Sequence, residues 1–160
     1  MEGTGAGHRA AGEQVDGFPA VIPVCEGFDA LYGLELVGPQ RGEDGWALGT
    51  DGTVCGRVRV RPELLGAEGR LHGGVPAAIA ESLASHGTAF EVLPGGMIAS
   101  GLSNDTTMVA PVAEGATLHA KATVHSRGED YWVWSVQLRD DAGALCAFSR
   151  ITIAVRPQRR

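Results

Sequence analysis

Residues 71–85 read LHGGVPAAIAESLAS, and this stretch carries the strongest helix signal in the chain. Pro76 falls in the first helical turn, where the missing N–H of proline does least harm. Residues 94–96 read PGG and supply a stop signal. The sequence therefore predicts one long helix, from about Gly73 to about Val92.

Residue spacing divides this predicted helix into two faces. Residues at three- and four-residue steps are predicted to be buried, namely Val75, Ala78, Ile79, Ser82, His86 and Phe90. Glu81 falls on a different face, which it shares with Ala77, Ser85 and Thr88. Because that face turns away from the predicted core, we expect the chemistry of the protein to lie there.

Strand patterns stand on both sides of the helix. A short helix is predicted within residues 26–32, and a strand at residues 34–36 is followed by a second and a third. Val58 and Val60 alternate with arginines, the period of a half-buried strand. Four more strands are predicted at residues 97–109, 116–126, 131–139 and 145–155. The last two are joined by the turn DDAG, so the pattern predicts an α+β fold with one long central helix wrapped by a curved antiparallel sheet.

The size and composition of the chain indicate a single globular domain. It has 160 residues, of which 44% are hydrophobic and 20% are charged. Residues 1–16 are predicted to be a disordered leader, 17–157 the domain and 158–160 a basic tail. No run approaches the ~18 to 20 apolar residues that cross a bilayer, so a cytoplasmic location is expected.

Charge and cysteine content argue against several classes of function. The formal net charge of -6 counts against nucleic-acid binding, which usually needs a basic surface. The three cysteines are far apart, odd in number and without a C-x-x-C pair, which argues against a disulfide framework and against zinc. His119 and His125 are too widely spaced to share one metal ion. We therefore expect no metal site.

Two features of the helix point to chemistry. Gly73 and Gly74 open the helix, leaving backbone N–H groups that can polarise a carbonyl oxygen. Glu81 interrupts a run of small and apolar residues, where a carboxylate is costly unless it has a purpose. The ordinary alternative is a solvated or arginine-paired glutamate. Ser85 stands one turn beyond Glu81 and is within reach of the carboxylate.

One subunit cannot bring Gly73 and Glu81 to the same carbonyl group. Eight residues of helix separate them by about 12 Å. Two antiparallel helices about a two-fold axis can do so, because the start of one helix then approaches the middle of the other. The sequence therefore predicts a composite site with a dimer as the minimum active unit.

From about residue 28 to residue 157 the chain resembles the hotdog-fold acyl-CoA thioesterases. The branch is that of the Arthrobacter-type 4-hydroxybenzoyl-CoA and the 1,4-dihydroxy-2-naphthoyl-CoA thioesterases. The resemblance rests on the motifs LHGG at 71–74, AESLAS at 80–85, WVW at 132–134, LRDDAGALC at 138–146 and IAVRP at 153–157. It implies that Glu81 is the nucleophile or general base, that the Gly73 N–H polarises the thioester carbonyl, and that His72 and Ser85 line the same site.

The resemblance also implies a path for the coenzyme A part of the substrate along a subunit interface. The residues expected there are Gly74, Thr88, Gly101, Met108, Val109, His125, Ser126, Arg127 and Gly128. It implies a homotetramer, an aromatic acyl group and no cofactor other than the CoA of the substrate. The chain departs from the family at Gly66, where relatives carry a glutamine, and at Ala110, where some carry an arginine. Arg127 or the C-terminal arginines are then candidate phosphate partners.

Two alternative functions stay open at this level. A hotdog dehydratase or hydratase also pairs a histidine with a carboxylate across subunits, although its usual His-Phe-Pro before the helix is His-Gly-Gly here. A non-catalytic acyl-CoA-binding hotdog protein is the other. Residues 104–106 (NDT) match a glycosylation sequon, which a cytoplasmic protein would not use.

Overall fold

The structure is a computed structural model, and it describes residues 26–38 and 51–158. The elements are α1 (Phe28–Tyr32), β1 (Glu35–Val37), β2 (Thr53–Arg59), α2 (Gly74–Val92), β3 (Met97–Met108), β4 (Thr117–Arg127), β5 (Tyr131–Arg139) and β6 (Leu145–Pro157). Single 3-10 turns lie at Pro62–Leu64 and Leu93–Gly95. The predicted leader, Cys25, residues 39–50, Arg159 and Arg160 lie outside the described residues.

The strands form a single six-stranded sheet in the order β1-β2-β4-β5-β6-β3, and every neighbouring pair is antiparallel. The long helix α2 packs against one curved face of this sheet. The predicted α+β architecture is therefore confirmed. The helix and the last four strands begin and end within two residues of their predicted limits. Between β1 and α2, where two strands were predicted, the described residues contain one, β2.

Alternation along the strands places the core between sheet and helix. Val58 and Val60 are buried and the arginines beside them are exposed, as the period of two predicted. Among residues 26–38 and 51–158, Trp134 is the largest fully buried side chain, and it lies on the sheet face that meets α2. Its indole N–H donates to Thr88 Oγ1 over 3.0 Å. The core is thus tied to the helix by a hydrogen bond as well as by apolar contact.

The buried face of α2 differs from the predicted one. Its buried residues are Pro76, Ile79, Ala80, Leu83, Ala84, Gly87 and Thr88. Of the predicted stripe, Ile79 is fully buried, and Val75 and Ala78 are partly buried against the core. The reason is close packing. A Cβ added at Gly87 would lie 2.6 Å from the Trp134 ring, so the small residues face the sheet and let the helix approach it.

Thr88 requires a correction. We predicted that it shares the exposed face of Glu81 and contacts CoA, but its side chain is fully buried. Its hydroxyl donates to the Ala84 carbonyl over 2.9 Å and accepts from Trp134. Thr88 is a core residue whose hydroxyl has its hydrogen-bond partners inside the chain, so it is not a CoA-binding residue.

Candidate active site

The start of α2 presents one free backbone donor. The Gly74 N–H donates to His72 Nδ1 over 3.0 Å, and the Val75 N–H donates to the His72 carbonyl, also over 3.0 Å. Within residues 26–38 and 51–158, no acceptor is bound to the Gly73 N–H. His72, Gly73 and Gly74 are all exposed. Of the donors at this positively polarised helix end, the Gly73 N–H is therefore the one open to a ligand.

The end of β3 lies beside this helix start. A Cβ added at Gly73 would lie 3.8 Å from Met108 Cγ, and apart from its chain neighbours no other described atom comes within 4 Å of it. Val109 follows directly and is 55% exposed. The structure thus brings together Gly73, Met108 and Val109, which the sequence predicted to meet the substrate from two distant segments.

Glu81 lies near the middle of α2, partly buried against β3. The Ser85 hydroxyl donates to its Oε1 over 3.4 Å, and the Asn104 amide donates to its Oε2 over 3.2 Å. Gly101 lies directly against the carboxylate, since a Cβ added there would come within 2.0 Å of Oε1. The predicted neighbours Ser85 and Gly101 are therefore present, and Asn104 is a neighbour that the sequence did not predict.

A bulge in β3 explains why the sequence did not predict that Asn104 contacts Glu81. In a regular strand, Gly101 and Asn104 would point to opposite faces. The pairing of β3 with β6 shifts register between Gly101 and Ser103, and such a bulge changes which residues share a face. A bulge leaves almost no trace in the sequence, and residues 104–106 matched a glycosylation sequon instead.

The predicted CoA residues of the β4–β5 hairpin lie elsewhere on the sheet. Cross-strand pairing puts Arg127, Trp132, Ile153 and Gly101 in one row across β4, β5, β6 and β3. Three strand spacings of about 4.8 Å put Arg127 roughly 14 Å from Gly101 within one chain. The structure therefore does not join these hairpin residues to Glu81 in a single subunit.

Contacts within the hairpin orient its polar side chains. His125 Nε2 and Ser135 Oγ are 2.7 Å apart. The Arg127 guanidinium lies 5.1 Å from the centre of the Trp132 ring, and it also approaches Glu91 at 4.0 Å. Its side chain remains 43% exposed. Arg127 is thus held in one orientation by the ring but keeps donors open to solvent.

A second polar cluster joins α1 to α2 around Asp29. Ser82 donates to its carboxylate over 2.5 Å, His86 Nε2 lies 3.1 Å from it, and the Tyr32 hydroxyl also donates to it. Burial raises the pKa of Asp29, but these hydrogen bonds outweigh burial and hold that pKa below its usual value. Burial and the adjacent carboxylate raise the pKa of Tyr32 well above 10.0. Ser82 and His86, predicted to be core residues, therefore hold α1 in place.

Comparison with known proteins identifies the family. The sequence model of the thioesterase superfamily matches residues 68–147, half of the chain, including both glycines and Glu81. The chain belongs to the thioesterase superfamily. As a member of it, this enzyme is a thioester hydrolase.

Two curated relatives cover most of the thioesterase. A Deinococcus radiodurans protein, provisionally named an esterase, is 30% identical over 84% of this chain and 92% of its own length. The 1,4-dihydroxy-2-naphthoyl-CoA hydrolase of Listeria monocytogenes is 27% identical over 84% of this chain and 99% of its own length.

Solved structures confirm the predicted hotdog fold of the thioesterase. A thioesterase from Haemophilus influenzae superposes with a TM-score of 0.69 at 28% identity, covering 84% of this chain and 86% of that one. A provisionally named esterase from Mycobacterium tuberculosis gives a TM-score of 0.71 at 27% identity, over 83% and 98% of the two chains.

The part of the chain that the structure describes contains neither a group of three metal ligands nor a helix that could span a membrane. Within residues 26–38 and 51–158, no three histidine, cysteine, aspartate or glutamate side chains are grouped as metal ligands. Neither helix of that part of the chain is long and apolar enough to cross a membrane.

Proposed function

We propose that the thioesterase hydrolyses an acyl-CoA thioester to the free acid and CoA, with Glu81 as the catalytic carboxylate. The observation that carries the proposal is the setting of Glu81. Its carboxylate is held by Ser85 and Asn104 and lies against the side-chain-free Gly101, on the helix that begins with the unpaired Gly73 N–H. A fixed carboxylate and a free backbone donor are the parts that acyl transfer requires.

Glu81 can act by either of two routes. As a nucleophile, a carboxylate oxygen bonds to the thioester carbon, the C–S bond breaks, CoA leaves as the thiolate and takes up a proton, and water then opens the anhydride. As a general base, Glu81 takes a proton from the water whose oxygen bonds to the thioester carbon; the C–S bond then breaks, and CoA leaves and takes up that proton to give the free thiol. In both routes the Gly73 N–H donates to the oxygen that gains negative charge.

We further propose that each site combines Glu81 of one subunit with Gly73 of another. The two residues are about 12 Å apart along one helix. β3 is an edge strand of the sheet, and it exposes Leu102 and Met108, with the exposed Phe148 beside it on β6. An exposed edge with apolar side chains favours pairing with a second copy. The dimer is then the minimum active unit, within a tetramer as the family resemblance implied.

The proposal includes an aromatic acyl group and a cytoplasmic location. The name of the Listeria monocytogenes relative favours 1,4-dihydroxy-2-naphthoyl-CoA or a similar aromatic thioester. Met108 and Val109 are the exposed apolar residues near Gly73, and they offer a surface against which such a ring can pack. His125, Ser126, Arg127 and Gly128 are proposed to meet the CoA portion of the substrate.

Release of free thiol from a panel of acyl-CoA thioesters tests this function. The panel should contain 1,4-dihydroxy-2-naphthoyl-CoA, 4-hydroxybenzoyl-CoA, benzoyl-CoA, a straight-chain acyl-CoA and an enoyl-CoA. We expect turnover with the aromatic members, and a loss of several orders of magnitude in Glu81→Gln with the oligomer intact. Tight CoA binding without thiol release would favour a non-catalytic protein, and hydration of an enoyl-CoA would favour a hydratase.

A further inference from the structure

We propose that Asn104 is a positioning residue that holds the Glu81 carboxylate in its working orientation. This inference rests on the proposed function, in which Glu81 acts on the thioester. Asn104 lies on β3, 23 positions from Glu81 in the sequence. It acts through Glu81, and no contact with the substrate is required of it.

The amide of Asn104 has both N–H bonds in use. Nδ2 donates to the Ala77 carbonyl over 3.0 Å and to Glu81 Oε2 over 3.2 Å. The Ala77 carbonyl can only accept a hydrogen bond, so the nitrogen of the amide must face it. The amide oxygen then faces Thr106, whose hydroxyl donates to Oδ1 over 2.7 Å. The orientation of the amide is therefore dictated by its three partners.

This arrangement is anchored in the core through Thr106. Thr106 Oγ1 and Ser149 Oγ are 2.7 Å apart, and the two residues are paired across β3 and β6. Because the single Thr106 proton goes to Asn104, Ser149 must donate to Thr106. Ser149 is fully buried. A directed series of hydrogen bonds thus runs from Ser149 through Thr106 and Asn104 to Glu81.

The consequence for Glu81 is a carboxylate that is held in one position. Asn104 holds Oε2, while Ser85 and the backbone at Gly101 confine Oε1. Among the described residues, the hydrogen-bond partners of the carboxylate are the neutral Ser85 and Asn104, and both donate to it. Replacing the Asn104 amide by a carboxylate would remove a donor and set a like charge beside Oε2.

The test compares two substitutions at Asn104 over a range of pH, using thiol release from the best substrate of the panel. Asn104→Leu keeps the size but removes the donor, so kcat should fall about ten- to hundredfold with KM little changed. Asn104→Asp keeps the shape but sets a second carboxylate beside Glu81. The acid limb of its kcat/KM profile should move to higher pH by about one unit or more.

A matched control tests whether the shift of the pH profile requires the new charge to lie beside Glu81. Gln137→Glu makes the same amide-to-carboxylate change at an exposed position of β5, away from both the Glu81 carboxylate and the β3 edge. Its pH profile should match that of the wild type. Glu81→Gln is measured in parallel, and circular dichroism gives the folded fraction of every variant.

Two results overturn the proposal, and they are distinguishable from failure of the proposed function. If Glu81→Gln is inactive but Asn104→Asp keeps the wild-type pH profile, Asn104 does not position the carboxylate and the proposed function stands. The same holds if folded Asn104→Leu keeps the wild-type kcat and has only a lower melting temperature. If Glu81→Gln retains full activity, the proposed function fails first.

Discussion

Replacing Gly101 by alanine should displace the Glu81 carboxylate and slow hydrolysis. The new Cβ would lie 2.0 Å from Glu81 Oε1. A carbon and an oxygen need roughly 3.3 Å between them, so Oε1 must retreat by about 1.3 Å. The hydrogen bond from Ser85 is already 3.4 Å long and should break. Because a misplacement of about 1 Å can cost on the order of a hundredfold in rate, kcat should fall by about that factor.

Thiol release at saturating acyl-CoA measures this loss, and thermal unfolding shows whether the sheet has been distorted. Gly95→Ala is the matched control, because a Cβ there meets no atom within 4 Å and its φ is not positive. We expect that control to keep both kcat and melting temperature. The reasoning would be refuted if Gly101→Ala also hydrolysed at the wild-type rate with an unchanged melting temperature, since the carboxylate would then not need the position that Gly101 leaves open.

Three further predictions concern stability and assembly. Gly87→Ala should lower the free energy of unfolding, measured by urea titration, by about 1 kcal/mol. Overpacking against Trp134 costs about 1–3 kcal/mol, and the higher helix propensity of alanine offsets about 1 kcal/mol of that cost. A variant more stable than the wild type would contradict the close packing. The pKa of Asp29 lies below its usual 3.8, so its contribution to stability is present above pH 3.8 and is lost as the pH falls through the folded-state value. Asp29→Asn should therefore be less stable than the wild type near neutral pH by about 1–3 kcal/mol, and that gap should close in acid; a gap independent of pH would count against the charge. Finally, mixing inactive Glu81→Ala and Gly73→Val subunits should restore up to about half of the wild-type activity per verified heterodimer. One of the two sites in such a heterodimer has both an intact Glu81 and an intact Gly73. Verified heterodimers that stay inactive would rule out the shared site.

The sequence predicted the elements and the family well because those signals are local. Proline and glycine mark the ends of α2, and alternation of valine with arginine marks β2 as a half-buried strand. The motif around Gly73 and Glu81 lies within one helix, so its spacing was readable without any knowledge of long-range contacts. The same locality predicted that Ser85 would reach Glu81, as it does over 3.4 Å.

Which residues of α2 are buried could not be predicted from such local signals. The residues that pack closest to the sheet include alanines, Gly87 and Thr88, which hydropathy ranks below Val75 or Phe90. What places them inside is the Trp134 ring, 46 positions away from Thr88 in the sequence. Burial is decided by the partner surface as well as by the hydrophobicity of the residue, and that surface exists only after the sheet has formed.

The sequence by itself determined the fold class, one long helix against an antiparallel sheet, and placed Gly73 and Glu81 eight residues apart along that helix. Only the tertiary structure decided what surrounds the carboxylate. Asn104 reaches Glu81 because a bulge after Gly101 changes the facing of β3, and because Thr106 and Ser149 orient the amide. Side-chain direction after a bulge and the direction of a hydrogen bond depend on pairing between distant strands, and no local pattern encodes that pairing.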